Sequence, residues 1–227
     1  EAVRVHNKVT RKEAKKRAIE LIDFVGIDEA ESRYNQYPYE FSGGMRQRIA
    51  IAIALACNPK VLIADEPTTA LDSIMQNKIL DLIKSIQMKT NISIIFITHD
   101  MEVVNRISDR IAVMYAGKIV EIGKKEEIFL NAVHPYTIGL MSSIAAFNMD
   151  KEYLPTIEGM PPSLLNPPKG DAFALRNKNP LVIDFLEEPP MFKVSESHYA
   201  ATWLLHPKAA IAREEIRAKE EKLDINE

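Results

Sequence analysis

Four short segments of this 227-residue sequence combine residue types that can do chemistry. The first segment, Ser42-Gly43-Gly44, stands directly before an apolar helical pattern. A hydroxyl, bare backbone N–H groups and a helix N-terminus then face one point, which favours binding of an anion such as the terminal phosphate of a nucleotide. From these residues alone, a helix cap with a turn is the more common interpretation.

The second segment ends an apolar run with two acids, Asp65 and Glu66. Because Asp65 emerges from a dry strand at a fixed position, its carboxylate could hold Mg²⁺ directly or through water. Glu66 could polarise an attacking water while Asp65 stabilises the metal. Acids at strand ends also cap the next helix or pair with lysines, and that is the commoner interpretation for either acid taken alone.

The third segment ends in Asp72, and the fourth contains His99 at the end of a second apolar run. Asp72 can cap a helix between the two runs. Strand, helix and strand in this order predict a parallel sheet whose functional groups meet at the carboxyl ends of the strands. His99 would lie at that edge, where its imidazole could hydrogen-bond a phosphate and a water. A lone histidine there is usually structural.

Capping residues and periodicity predict the helices around these segments. Thr10 and Glu13 form a capping box for an amphipathic helix that Gly26 closes. Ser42 can cap a second helix over residues 45–57, which is apolar around much of its circumference. That pattern predicts a buried helix.

Apolar runs predict the strands. Residues 61–64 and 92–98 are expected to be fully buried parallel strands. Residues 111–114 and 118–122 flank a Tyr-Ala-Gly turn and predict a hairpin. Helical stretches are expected after the hairpin, over residues 125–130 and 135–146.

Composition narrows the class of protein. With 29 basic and 32 acidic residues the formal net charge is -3, which gives no global attraction for nucleic acid. The single cysteine, Cys57, excludes a disulfide framework and a cysteine-ligated metal site built from this chain alone. The longest apolar run is less than half of the roughly 20 residues that a spanning helix needs.

Taken together and in this order, the four segments resemble the nucleotide-binding domain of ABC transporters. The resemblance implies an α/β fold of the P-loop NTPase type, with a mainly parallel sheet and a helical subdomain. Residues 42–47 would be the signature motif, in which Met45 stands where many members have glutamine. Asp65 would be the Walker B aspartate that holds Mg²⁺, Glu66 the catalytic glutamate and His99 the catalytic switch histidine.

The resemblance also assigns the nucleotide contacts and shows where the sequence departs from the family. In the family two such domains sandwich two ATP molecules, and each signature motif completes the site of the opposite domain. None of the eight glycines begins Gly-x-x-x-x-Gly-Lys-Ser/Thr, so the phosphate-binding loop is absent from this sequence. The glutamine loop that the family has upstream of the signature is missing too. The residues expected to contact ATP are Ser42, Gly43, Gly44, Met45, Gln47 and Asp72.

Later segments resemble the oligopeptide and dipeptide importers within this family. They include residues 114–121, the His134-Pro135-Tyr136-Thr137 stretch and a proline-rich extension. The chain would then be the C-terminal part of such a subunit. Its predicted domains are a partial nucleotide-binding domain over 1–150, with a helical subdomain over about 1–57 and the catalytic core over about 58–150, and an extension over 151–227.

Many relatives carry four cysteines in this extension that ligate an iron–sulfur cluster. The matching positions here are Asp171, Asn177, Phe185 and Thr202, and none of these supplies a thiolate. We therefore expect no cluster. The extension would depend on apolar anchors instead, which are expected to be Phe185, Phe192, Tyr199, Trp203 and Leu204.

The resemblance implies a second ABC ATPase subunit and membrane-spanning permease subunits as partners, and a peripheral location on the cytoplasmic face of the membrane. Tyr34, Tyr37 and Tyr39 are expected to be exposed and are candidates for the permease contact. Two alternatives stay open. The chain could be a non-catalytic module that completes a partner's ATP site, or a soluble ABC protein of translation or DNA repair, against which the proline-rich extension argues.

Overall fold

The computed structural model describes residues 1–69, 71–144 and 156–209. The chain divides into two compact units, Glu1–Ile107 and Ser108–Glu227. The predicted domain boundary near Asp150 falls among residues that the structure does not describe, and it stays a prediction. The four chemical segments all belong to the first unit.

The first unit holds a two-stranded sheet and most of the helices. Its helices are α1 (Ala2–Asn7), α2 (Arg11–Phe24), α3 (Ala30–Arg33), α4 (Gly43–Leu55), α5 (Ser73–Thr90) and α6 (Met101–Ile107). Strands β1 (Val61–Asp65) and β2 (Ser93–Ile97) pair in parallel, with Val61 opposite Ser93 and Asp65 opposite Ile97. The predicted strand, helix and strand are therefore confirmed.

Capping residues set the helix boundaries as the sequence predicts. The Thr10 hydroxyl accepts a hydrogen bond from Glu13 N at 3.3 Å, and Thr10 N donates to the Glu13 carboxylate at 2.8 Å. Gly26, with φ 75°, follows the end of α2. Ser42 and Asp72 cap α4 and α5 through the backbone N–H groups of Met45 and Met75.

Two burial predictions for the first unit are wrong. In β1 and β2 only alternate residues face the core, and Ile63 and Ile95 are 64% and 52% exposed. Only one face of this two-stranded sheet packs against helices, so the other stays open to solvent. Helix α4 is likewise half-buried, because Ile51 and Leu55 reach the core whereas Ile53 is exposed.

The second unit is built on an antiparallel sheet with strand order β3-β4-β6-β5. Its elements are β3 (Arg110–Tyr115), β4 (Lys118–Lys124), α7 (Lys125–Leu130), α8 (Pro135–Ser142), β5 (Met191–Lys193) and β6 (Tyr199–Ala201). The predicted hairpin is confirmed. Its turn places Ala116 and Gly117 at φ 48° and 81°, the geometry that a two-residue hairpin turn requires.

Aromatic packing in the second unit differs from the prediction. Phe185 is 47% exposed and cannot be an anchor. Phe173 is 2% exposed instead, and its ring lies 5.3 Å from that of Tyr115 and 5.6 Å from that of Tyr136. The proposed anchors Phe192, Tyr199, Trp203 and Leu204 are half-buried.

The second unit also buries a polar network that apolar periodicity does not reveal. The Glu121 carboxylate, fully buried in β4, lies 2.7 Å from the His198 imidazole, and it accepts hydrogen bonds from the backbone of Val133 and His134. His134 is the predicted helix-start residue, and its ring accepts from Tyr136 N at 3.1 Å. Among the described helices, none is long and apolar enough to cross a membrane.

Candidate functional site

The signature segment forms the N-terminus of α4. Ser42 has extended backbone angles (φ -62°, ψ 163°), and its hydroxyl accepts a hydrogen bond from Met45 N at 3.3 Å. Ser42 and Gly43 are exposed, while Gly44, Met45 and Gln47 are buried or half-buried. The exposed hydroxyl, the bare backbone and the helix N-terminus thus face solvent together, as binding of a phosphate would require.

Gly44 lies against helix α5. A Cβ atom added at Gly44 would stand 2.0 Å from the terminal methyl group of Met75. The absence of a side chain at this position therefore lets the signature segment approach α5 closely. Because the obstructing atom is the flexible end of a methionine, a small residue here would displace Met75 rather than the backbone.

Asp65 and Glu66 stand at the carboxyl end of β1, where the backbone changes direction. Glu66 N donates to Ile97 O at 2.9 Å, which extends the sheet by one bond beyond the paired strands. Glu66 itself adopts a left-handed conformation with φ 44°, an unfavourable one for a residue with a side chain. This strained turn directs the polypeptide away from the sheet immediately after the two carboxylates.

The structure brings Glu66 and His99 into direct contact. The imidazole Nδ1 lies 3.0 Å from one Glu66 oxygen, and the hydroxyl of Thr69 donates to the other at 2.9 Å. The hydrogen bond with His99, followed by that from Thr69, lowers the pKa of the Glu66 carboxyl below its usual range. Glu66 is thus held as a carboxylate next to a histidine at the sheet edge, which suits a group that orients water.

Helix α5 contacts both Asp72, which caps its first turn, and Asp100, which follows His99. The Asp72 carboxylate accepts from Met75 N at 2.9 Å, and its backbone carbonyl accepts from Gln76 N at 2.8 Å. The side-chain amide of Gln76 then donates to Asp100 at 3.1 Å. The residue next to His99 is therefore tied to the helix that Asp72 caps.

Asp65 is the residue that the sequence predicts to hold Mg²⁺. Asp65 is exposed at the strand end, and among the described residues no side chain hydrogen-bonds its carboxylate. One free carboxylate fits Mg²⁺ that also binds phosphate oxygens. In the described part of the chain no group of three or more histidine, cysteine or acidic residues could hold a metal.

Sequence reasoning identified Glu66 and His99 but missed the residues that fix them. Thr69 hydrogen-bonds Glu66 directly, while Gln76 binds Asp100, which follows His99 in the chain and caps α6. Asp100 is adjacent to His99 in the sequence, and this proximity was the available signal. The position of Gln76 one helical turn after Asp72 was a weaker one, because both residues project from the same side of α5.

The extension does not fit an iron–sulfur cluster ligated by its own cysteines. The chain has a single cysteine, Cys57, and it lies in the first unit. At three of the four positions predicted to match cluster ligands, a side-chain oxygen accepts a hydrogen bond from the backbone N–H two residues later. These residues are Asp171, Asn177 and Thr202, with distances of 2.9, 3.1 and 3.3 Å.

Comparison with known families matches two parts of the chain. The family described as "ABC transporter" matches residues 1–69, which contain the signature segment and both strand-end acids. The family described as "Oligopeptide/dipeptide transporter, C-terminal region" matches residues 120–178. The two matches fall on the two units and follow the order in which they occur along the chain.

Curated relatives resemble nearly the whole chain. It is 57% identical over 221 residues to the oligopeptide transport ATP-binding protein OppD of Bacillus subtilis, covering 96% of this chain and 62% of that protein. It is 56% identical over 205 residues to the dipeptide transport ATP-binding protein DppD of Lactococcus lactis, covering 90% and 59%. The chain thus spans about three fifths of the length of these relatives.

Solved structures support the fold. CbiO1 from Clostridium perfringens, part of the ABC transporter complex cbiONQ, matches with a TM-score of 0.50 and 33% identity over 56% of this chain and 49% of that one. MJ1267, an ATP-binding cassette of an ABC transporter in its ADP conformation, matches with a TM-score of 0.50 and 22% identity over 58% and 51%.

The parallel strands, the capped signature helix and the paired Glu66 and His99 define an ABC-type nucleotide-binding fold. With the two family matches and the extent of identity to the curated relatives, the chain belongs to the ABC transporter ATP-binding proteins, in the group that carries the oligopeptide/dipeptide transporter C-terminal region.

Proposed function

We propose that the chain is part of an ATP-binding subunit that powers the import of oligopeptides or dipeptides across the cytoplasmic membrane. The observation that carries this proposal is the contact between Glu66 and His99 at the end of β1 and β2, beside the free carboxylate of Asp65. The names of the relatives, oligopeptide and dipeptide transport ATP-binding proteins, support the cargo class.

In this mechanism Asp65, Glu66 and His99 would act on a nucleotide bound to their own subunit, whereas the signature segment would act on a nucleotide bound to a second subunit. Asp65 would hold Mg²⁺, which neutralises charge on the phosphates when bound. Glu66, kept ionised by His99 and Thr69, would orient the attacking water and accept its proton. His99, whose Nδ1–H donates to Glu66, would face the terminal phosphate and the attacking water with Nε2, and Nε2 would accept a hydrogen bond from that water. Ser42 and Gly43, exposed at the start of α4, would donate to the nucleotide of a second subunit.

The function is tested by supplying the phosphate-binding loop. A longer chain that joins the loop-containing segment of the Bacillus subtilis relative to Glu1 should show Mg²⁺-dependent phosphate release in a malachite green assay. Replacing Glu66 by Gln should lower the rate of phosphate release about a hundredfold or more, while ATP binding persists. The matched control is Glu31→Gln, an exposed acid of helix α3. Turnover that survives E66Q would contradict the proposed role.

Two surfaces of the first unit favour protein partners. Tyr37 and Tyr39 are 63% and 80% exposed, and their rings stack at 5.7 Å. Beside them an apolar groove of about 320 Å³ is lined by residues of α2, α4 and the intervening loop, including Tyr34 and Ile53. We assign the groove and tyrosines to a permease subunit, which would place the protein on the cytoplasmic face of the membrane.

A second candidate function is a non-catalytic module that completes a partner's ATP site. It is favoured by the capped signature segment, whose Ser42 and Gly43 are exposed and could reach the nucleotide of a partner. The two candidates separate in a mixing experiment with an ATP-binding subunit whose own signature serine is changed to arginine. Turnover restored by the 227-residue chain, but not by its Ser42→Arg variant, would favour the module.

We also infer that the extension folds without an iron–sulfur cluster. The oxygens of Asp171, Asn177 and Thr202 close the turns at the positions where related proteins have ligands. Protein purified without oxygen should contain less than a tenth of an iron atom per chain and lack broad visible absorbance. About one iron atom or more per chain, still bound after loosely held metal has been removed with a chelator, would contradict this inference.

A further inference from the structure

The two residues expected to act on the phosphate are linked by side-chain hydrogen bonds together with short stretches of the covalent chain. Starting at Glu66, one carboxylate oxygen contacts His99 at 3.0 Å, and Thr69 holds the other at 2.9 Å. The loop after Thr69 leads to Asp72 and α5. The Gln76 amide then reaches Asp100 at 3.1 Å, and Asp100 is covalently adjacent to His99. The path from Glu66 through α5 and Asp100 therefore ends at His99, which itself contacts Glu66.

Asp100 uses both carboxylate oxygens. One oxygen accepts from the backbone N–H groups of Glu102 and Val103 at 2.9 and 3.3 Å, and this caps the helix α6. The other oxygen accepts the Gln76 amide. The Thr98 hydroxyl accepts from Asp100 N at 3.1 Å, so the backbone on both sides of His99 is fixed. Gln76 thus ties Asp100 to α5, and at the other end of α6 the Arg106 guanidinium binds Asn77 and Asp81 of the same helix.

Met75, the residue before Gln76 on helix α5, contacts the signature segment. Met75 packs against Gly44, the second glycine of the signature, and Gln76 binds Asp100. Consecutive residues of one helix thus touch the segment that would complete a partner's site and the segment that carries the switch histidine of the same chain. The helix is 18 residues long and is anchored in the core by Ile79 and Ile83.

We propose that Gln76 is a positioning residue that holds His99 against Glu66 by binding the adjacent Asp100. The proposal rests on the proposed function of Glu66 and His99. Gln76 touches neither nucleotide nor water in this mechanism and acts only through Asp100. Its half-buried amide is suited to this, since a hydrogen bond to a charged group in a partly dry environment is stronger than one in water.

The chemistry of the pair allows a charge-conserving test. In Gln76→Glu, two carboxylates face each other and the contact breaks. In the double variant Q76E/D100N the donor and acceptor exchange places. The introduced amide oxygen still caps α6, while its NH₂ group donates to the introduced carboxylate, and the formal charge of the pair is unchanged. Gln76→Leu removes the amide that binds Asp100. Gln87→Leu makes the same change elsewhere on α5 and is the control.

The first measurement uses nitrogen-15 NMR of the histidine side chains in the 227-residue chain at neutral pH. The wild type, Gln87→Leu and the double variant should show His99 with Nδ1 in a fixed hydrogen bond. Q76E and Gln76→Leu should instead show the averaged tautomers of an exposed imidazole. An unchanged His99 spectrum in both disrupting variants, with only a lower melting temperature, would assign Gln76 a purely structural role and overturn the proposal.

The second measurement uses the longer chain with the phosphate-binding loop. Q76E should lower kcat about tenfold with KM for ATP unchanged, and Q76E/D100N should recover most of that loss. A loss that the double variant does not recover, or one that appears only in KM, would also overturn the proposal. If the longer wild-type chain shows no turnover, the proposed function fails, while the NMR measurement still decides whether Gln76 positions His99.

Discussion

Glu127, in helix α7, is a carboxylate that several hydrogen bonds hold in place. It accepts hydrogen bonds from the hydroxyls of Ser195 and Ser197 and from Lys124 N. The Ser195 contact, with the Lys124 backbone next in importance, lowers the pKa of Glu127 from its usual 4.5 to about 2. The carboxylate thus joins the start of α7 to the turn before β6.

This shift predicts how stability changes with acidity. Because the pKa is lower in the folded state than in the unfolded chain, Glu127 stabilises the protein above about pH 4.5, and that stabilisation is lost as the pH falls through about 2. Urea denaturation between pH 6 and pH 2.5 should show a steeper decline for the wild type than for Glu127→Gln.

The exposed neighbour Glu126 provides the control, since Glu126→Gln should follow the wild-type pH profile. The two curves for wild type and Glu127→Gln should converge at the acid end. A constant difference between them at every pH would mean that Glu127 contributes only packing, and the prediction would be wrong.

At the scale of elements, the sheet of the first unit has two unlike faces. Leu62 and the residues around it pack onto the core with α5, while Ile63 and Ile95 lie on the solvent-facing side. Among the described residues, β1 and β2 pair only with each other, and exposed β-branched residues on such a short sheet favour association between molecules. Burial of the apolar residues, which stabilises the fold, is thus confined to one face.

Replacing both Ile63 and Ile95 by threonine should therefore reduce aggregation with little effect on folding. We expect the free energy of unfolding to change by less than about 0.5 kcal/mol, because threonine suits a strand and neither side chain is buried. Static light scattering at rising concentration and urea denaturation measure the two quantities.

Ile79, which is fully buried in α5, is the matched control. Ile79→Ala should cost about 2–5 kcal/mol because it leaves a cavity in the core. A comparable loss for the Ile63 and Ile95 pair would show that this face is covered in solution, and the assignment of the exposed side would then be wrong.

At the scale of the whole molecule, Glu66 and His99 are in contact, but the 227-residue sequence does not contain the phosphate-binding loop motif. Backbone N–H groups and a lysine in that loop supply most of the binding to a triphosphate. We therefore predict no measurable ATP turnover by the 227-residue chain alone, in a malachite green assay with Mg²⁺. Turnover that depends on Glu66 and on this chain only would contradict the prediction.

Much of the fold could be predicted from the sequence because its signals are local. Thr10, Ser42 and Asp72 cap the helices that they were expected to cap, and the hairpin turn falls on Ala116 and Gly117. The burial of α4 and of the strands was wrong, because an apolar residue has the same preference whether or not a neighbouring element is there to cover it.

The sequence alone determined the order of the elements, their caps and the class of chemistry, since these depend on residues close together in the chain. The tertiary structure decided which residues hold the site. Contacts between Glu66 and His99, Gln76 and Asp100, or Glu121 and His198 join residues 33, 24 and 77 positions apart. No local periodicity specifies such pairs, because they form only when the packing of separate strands and helices fixes the distance between their side chains.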